Sequence, residues 1–384
     1  MVLKNLVLGL LLIGVFGGCT SSSYETEKEN LAFDYYNRGT EFENSGEHSL
    51  AIKYLTKSIN LLPNYSKSYY NRGIAYDDLK KYDLAISDYI KAIEINPNFS
   101  NAYYNRGNTY RKLKKYDLAI SDYSKAIEIN PNIAEDYYDR GTIYVRYLKK
   151  YDLALSDFTK AIEINPDYSD AYSNRGIVYK RLEKYDLAIL DYNKAIEINP
   201  NDSKAYSNRG LAYTNLKKYD LAISDYTKAI EINPNLSEAY YNRGLTYTIL
   251  KKVHLAIADF TKTIEINPNF SDAYYSRGLI YGKDLANYDL AISDFTKAIE
   301  INPNYFNAYN NRGIVYGILK KYNLAISDYT KAIEINSNDL NAYYNRAIAY
   351  VQIGQWQKAK ADAIKVFELS GDRTVLDILI SAGL

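Results

Sequence analysis

Cysteine, methionine and tryptophan each occur once among 384 residues, and histidine twice. A single thiol, Cys19, excludes any disulfide within the chain. His48 and His254 lie far apart, and neither has a cysteine partner or a suitably spaced second histidine, so no metal site and no cofactor are expected. Charge of one sign is also lacking. Forty-seven basic against 46 acidic side chains leave a net charge of +1, which gives no field for a nucleic-acid partner or an anionic membrane surface. No Gly/Ser/Pro-rich linker interrupts the chain after about residue 31, so the remainder reads as one body.

What is present is a period. Asn-Arg-Gly, or a close variant, places glycines at Gly39, Gly73, Gly107, Gly141, Gly176, Gly210, Gly244, Gly278 and Gly313, with Ala347 in the tenth place. The step is 34 residues, lengthened to 35 before Gly176 and Gly313. Such a period means stacked units, each burying its apolar face only against its neighbours. Function then belongs on an extended surface. The carboxylates follow the same period, whereas a catalytic pair would occur once, and no glycine loop follows a strand to cradle phosphate, so no enzyme activity is expected.

One unit shows the local logic. Tyr103, Gly107 and Tyr110 share one helix face, and Ala119, Tyr123 and Ala126 share a face of a second helix. Pro131 stops that second helix. Ser100 is placed to cap the first helix, and Asp117 favours the positive end of the second. The small residues let two antiparallel helices approach closely. This series resembles the tetratricopeptide repeat, in ten copies over about residues 32–373. The resemblance implies an all-α, right-handed superhelical solenoid of ten helix-turn-helix units, with a C-terminal capping helix over 374–384. The family's usual glycine at the inter-helix turn survives only as Gly46 and Gly354. A local bulge is expected near Arg146–Lys150 and Lys283–Asn287, where the longer copies gain a residue.

An arginine stands where the family commonly has leucine, on the packed face of each first helix. A buried guanidinium needs a partner. The pattern predicts a structural ladder of Arg72 with Asp88, Arg106 with Asp122, Arg140 with Asp157, Arg175 with Asp191, Arg209 with Asp225, Arg243 with Asp259, Arg277 with Asp294, and Arg312 with Asp328. Arg346 and Asp362 continue it, while Arg38 has Tyr54 at the acid position and must face solvent or another partner. The competing expectation is that the arginine row binds phosphate or polysaccharide.

Winding like that of similar arrays would put first helices along a concave groove, and the variable first-helix positions then become candidate partner contacts. They are Tyr70, Tyr104, Arg111, Lys112, Tyr138, Arg146, Lys180, Arg181, Tyr241, Ile249, Tyr275 and Ile318. Basic residues in the middle and apolar ones later suit a protein or peptide with an acidic stretch and an apolar anchor. The alternative is a merely solvated surface.

The amino terminus reads differently. Lys4 precedes an apolar run from Leu6 to Phe16, followed by Gly17-Gly18-Cys19. This resembles a bacterial lipoprotein signal, implying a signal peptide over 1–18, lipidation of Cys19, and a flexible tether over 19–31. The expected location is the bacterial envelope, at the outer membrane facing the periplasm where two membranes exist. Two roles fit: a membrane-tethered adaptor for envelope proteins, or an assembly factor for an outer-membrane machine of the pilotin or polysaccharide-secretion type. Ile378 and Leu384 in the last segment add a homodimer contact as an alternative to capping.

Overall fold

The computed structural model describes residues 25–371, 373, 374 and 377. The expectations for the signal segment, Cys19, Ile378 and Leu384 fall outside these residues. Among the described residues all regular structure is helical, and no helix is long and apolar enough to cross a membrane.

Although the sequence reads as one body, the chain divides into two compact units, one ending at Leu182 and the other starting at Glu183. The first holds α1 (residues 25–44), α2 (His48–Leu61), α3 (Ser66–Asp78), α4 (Tyr82–Ile95), α5 (Ser100–Lys112), α6 (Tyr116–Ile129), α7 (Ala134–Ile143), α8 (Tyr151–Ile164) and α9 (Ser169–Arg181). The second holds α10 (Tyr185–Ile198), α11 (Ser203–Asn215), α12 (Tyr219–Ile232), α13 (Ser237–Ile249), α14 (Val253–Ile266), α15 (Ser271–Leu279), α16 (Tyr288–Ile301), α17 (Phe306–Ile318), α18 (Tyr322–Ile335), α19 (Leu340–Gln352) and α20 (Trp356–Ser370). Within each unit, hairpins such as α5 with α6 and α11 with α12 stack so that each second helix also packs on the next first helix. Helix α1 already begins by residue 25, so the expected tether loses residues 25–31 to it.

The hairpin core follows from small residues facing an aromatic. Ala119, Tyr123 and Ala126 are fully buried in α6, as are Ala222, Tyr226 and Ala229 in α12. The aromatic ring packs directly against the glycine of the first helix: a Cβ on Gly210 would stand 2.9 Å from Tyr226 Cε1 and 3.2 Å from the Ala222 carbonyl oxygen. Each of the eight prolines follows a second helix, where it removes no helical hydrogen bond. In every case but Pro63, which follows Leu62, the asparagine before it closes the turn, as when the Asn132 N–H donates to Asn130 Oδ1 at 3.3 Å.

Capping differs from the expectation at Ser100. The cap position is Phe99, without a side-chain bond, and Ser100 is already helical. Side-chain caps occur instead at Asp202 and Asp339, whose carboxylates accept from the first amide groups of α11 and α19. At the inter-helix turns Lys80, Lys114, Lys217, Lys251 and Lys320 adopt φ values of 55–60°, the conformation that Gly46 and Gly354 adopt without steric cost. The two 35-residue copies absorb their extra residue as π-helical turns, Tyr144–Leu148 and Ile280–Asp284. Near the C terminus, the Asp377 N–H donates to the Arg373 carbonyl at 2.9 Å.

Candidate functional site

Most rung arginines are held on three sides. Arg72 Nε and Nη2 donate to Asp88 Oδ2 and Oδ1 at 2.7 and 2.8 Å, a bidentate fork between α3 and α4. Its third arm, Nη1, reaches back to Thr56 Oγ1 on α2 at 2.9 Å. The guanidinium carbon also lies 5.7 Å from the Tyr69 ring centre and 5.9 Å from that of Tyr76. The same fork, at 2.7–2.9 Å, joins Arg106 to Asp122, Arg140 to Asp157, Arg209 to Asp225, Arg243 to Asp259, Arg277 to Asp294, Arg312 to Asp328 and Arg346 to Asp362. Except at Arg106, which has Ile90 sixteen residues before it, Nη1 of these arginines and of Arg175 finds Ser124, Thr159, Asn193, Thr227, Thr261, Thr296 or Thr330 in the preceding copy. That inter-copy arm was readable as a hydroxyl or amide sixteen residues before the arginine. Burial works against the charge on Arg72, but Asp88 outweighs it and raises the guanidinium pKa.

In these arginines Nε and Nη2 are already taken by the carboxylate fork. The Arg72 and Asp88 side chains are 16% and 8% exposed, whereas Arg38, paired with Asp34 at 3.1 Å, is 54% exposed. The two clefts beside the rungs, about 470 Å³ at Arg140 and 400 Å³ at Arg277, are lined by Lys160 and Lys297, which already pair with Glu163 and Glu300. Geometry therefore removes the support for phosphate or polysaccharide binding by this row.

The first-helix tyrosines are half-buried and partly structural. Tyr70 lies 4.7 Å from the Phe99 ring and accepts from Asn105 Nδ2 at 2.9 Å. Tyr138 and Tyr275 accept likewise from Asn174 and Asn311, at 2.8 and 3.2 Å. The asparagine of Asn-Arg-Gly thus bonds the phenol of the preceding copy. At Tyr104 the direction reverses, its hydroxyl donating to Asp139 at 2.7 Å; burial and then Asp139 push its pKa up. Tyr241 packs between Phe260 and Phe270, at 5.7 and 4.8 Å.

The basic candidates fall into two groups. Lys112 is paired with Asp77, and half-buried Arg111 donates to Asn108 Oδ1 at 3.2 Å while its Nε has no partner. They line one cleft of about 300 Å³ with Asp77, Asp78 and Asn108. Arg146 is exposed on its π-helical turn, and Arg181 is exposed and donates to Tyr151 Oη at 3.4 Å. Lys180 is half-buried; burial, then Arg181, lowers its ammonium pKa to about 8. In the second unit Ile249 and Ile318 are 53% and 52% exposed. Ile318 lines a cleft of about 350 Å³ with Ile314, Tyr322 and Ile348.

One buried acid was not singled out by the sequence. Asp136, in the first turn of α7, is 2% exposed and its Oδ2 has no partner. Burial, then Glu135 and Asp139, pushes its carboxyl up to about 7, with only Arg140 opposing. Other copies place a fully buried alanine there, including Ala102, Ala171, Ala205 and Ala239.

The tetratricopeptide repeat pattern matches residues 66–99, 100–133, 169–202, 203–236, 237–270 and 306–339, more than half of the chain. The chain belongs to the tetratricopeptide repeat family. Related repeat patterns match residues 35–65, 145–183, 285–317 and 328–361. Among solved tetratricopeptide structures, YrrB, described as a TPR protein with an unusual peptide-binding site, is 30% identical; the match covers 49% of this chain and 97% of that one, with a TM-score of 0.43. The C-terminal part of a TPR repeat-containing protein from Cytophaga hutchinsonii is 23% identical over 63% of this chain and 98% of that one, with a TM-score of 0.52. The Cut9–Hcn1 hetero-tetramer of APC/C matches at 18% identity over 95% and 88%, with a TM-score of 0.50. These last two show the tetratricopeptide fold alone. No curated protein matches the chain. The tetratricopeptide array is a scaffold for protein–protein interaction.

Proposed function

We propose that this protein is a lipid-anchored adaptor of the bacterial envelope that binds extended segments of partner proteins along its first-helix face. The observation that carries the reading is the pair Ile249 and Ile318, half exposed on first helices of the second unit, with the apolar cleft beside Ile318. A side chain of leucine size fits that cleft as an anchor. Arg111, Arg146 and Arg181 supply basic contacts for an acidic stretch of the partner, while Lys112 contributes less because Asp77 already neutralises it. Cys19 is the attachment point for lipid, on the strength of the apolar run before it.

Crosslinking in cells, followed by identification of what is captured, tests the role. Cell-wall hydrolases support the adaptor; a secretin or export porin replaces it with the assembly factor. Reversing charge at Arg111, Arg146 and Arg181 together, or Ile318→Glu alone, weakens capture with helicity unchanged, and equal capture by both variants removes the groove. Lipid labelling lost in Cys19→Ser supports the anchor, and an unlabelled parent protein refutes it.

A further inference from the structure

We infer that Glu43, His48 and Asp78 form a binding site for a divalent transition-metal ion such as Zn²⁺. The three side chains come from the end of α1, the start of α2 and the end of α3. Their ligand atoms lie within 4.8 Å of one another. His48 Nδ1 stands 3.1 Å from Glu43 Oε1 and 4.0 Å from Asp78 Oδ2. Zinc bonds of about 2.0–2.2 Å put tetrahedral ligands about 3.3 Å apart, so small side-chain rotations suffice. The Glu43 and His48 side chains are 12% and 25% exposed, while Asp78 at 46% leaves a path for the ion and a position for water. Two carboxylates against one imidazole remain net negative even when the imidazole is protonated, and a divalent cation balances them.

The seat itself recurs, but its chemistry does not. Elsewhere the first residue of a second helix meets a residue thirty positions on, as Tyr82 meets Lys112, Tyr151 meets Arg181 and Tyr322 meets Gln352. Those places hold a phenol with a cation or an amide. At this first junction they hold an imidazole with a carboxylate, and Glu43 adds a second carboxylate from its own copy. Neither cysteine nor a second histidine is needed here, because the third ligand, Asp78, comes from the next copy. Metal bound here ties α3 to the first hairpin.

The test is titration of the tag-free full chain, stripped with chelator, with Zn²⁺ by calorimetry and with Co²⁺ by visible absorption. One saturable equivalent is expected, with a rise in the thermal midpoint and release of protons. His48→Tyr restores the residue found in neighbouring copies and so keeps the fold; it should abolish binding, as should Asp78→Asn. His254→Ala should leave binding intact. Absence of saturable binding, or binding that survives His48→Tyr, overturns the inference.

Discussion

Asp136→Ala should stabilise the protein, and by an amount that depends on pH. The carboxyl moves from 3.8 to about 7 on folding. That change corresponds to about 4 kcal/mol between the low-pH and high-pH limits. The gain for the variant is then about 4 kcal/mol at pH above 7, within the range for an uncompensated buried charge. The sign follows from linkage. The folded-state pKa is raised, so the stability associated with the protonated group is complete below about pH 4 and is lost as pH rises to about 7. Wild-type stability should therefore fall across that window relative to the variant. Other carboxylates titrate in both proteins, and the difference between the two curves isolates Asp136. Urea unfolding followed by far-ultraviolet circular dichroism at several pH values measures it, and hydrogen exchange of α7 amides localises it. Parallel curves from about pH 4 to 8 would refute the reasoning.

Three further outcomes follow from the packing. Asp122→Asn leaves the Arg106 guanidinium without its carboxylate and should cost about 3 kcal/mol in urea unfolding, while Arg38→Lys, on an exposed pair, should leave the unfolding midpoint unchanged. Gly210→Ala should lower the thermal midpoint, because contact with Tyr226 and the Ala222 carbonyl costs about 1–3 kcal/mol and outweighs a helix-propensity gain of about 1 kcal/mol. Tyr192→Phe should raise it slightly or leave it unchanged, since the buried Tyr192 hydroxyl has no partner; a clear drop would reveal a bond to it.

Much of the fold was legible because the period repeats its own evidence. The Gly-to-aromatic spacing located each hairpin, and the rule that a buried cation needs a partner joined Arg72 to Asp88 across α3 and α4. The extra residues of the two long copies foretold irregularity, realised as π-helical turns. Contacts between copies were less legible, because they depend on how neighbouring hairpins are angled. The third arm of Arg72, the Asn105 bond to Tyr70 and the approach of Asp78 to His48 all belong to that class. Asp136 was hidden for another reason. An acid in a first helical turn ordinarily reads as favourable, and only its burial reverses the sign. Ser100 misled because the backbone enters α5 one residue earlier, at Phe99.

The bonds that reach from one copy to the one before it make length an adjustable property. Arg243 meets Thr227 and Arg277 meets Thr261, each at 2.9 Å. Excision of residues 237–270 as a block would bring Arg277 to Thr227, a junction of the same chemistry. Whole copies from such an interior can be lost or added without creating a mismatched surface, so reach along a partner can vary in 34-residue steps while the joints stay the same.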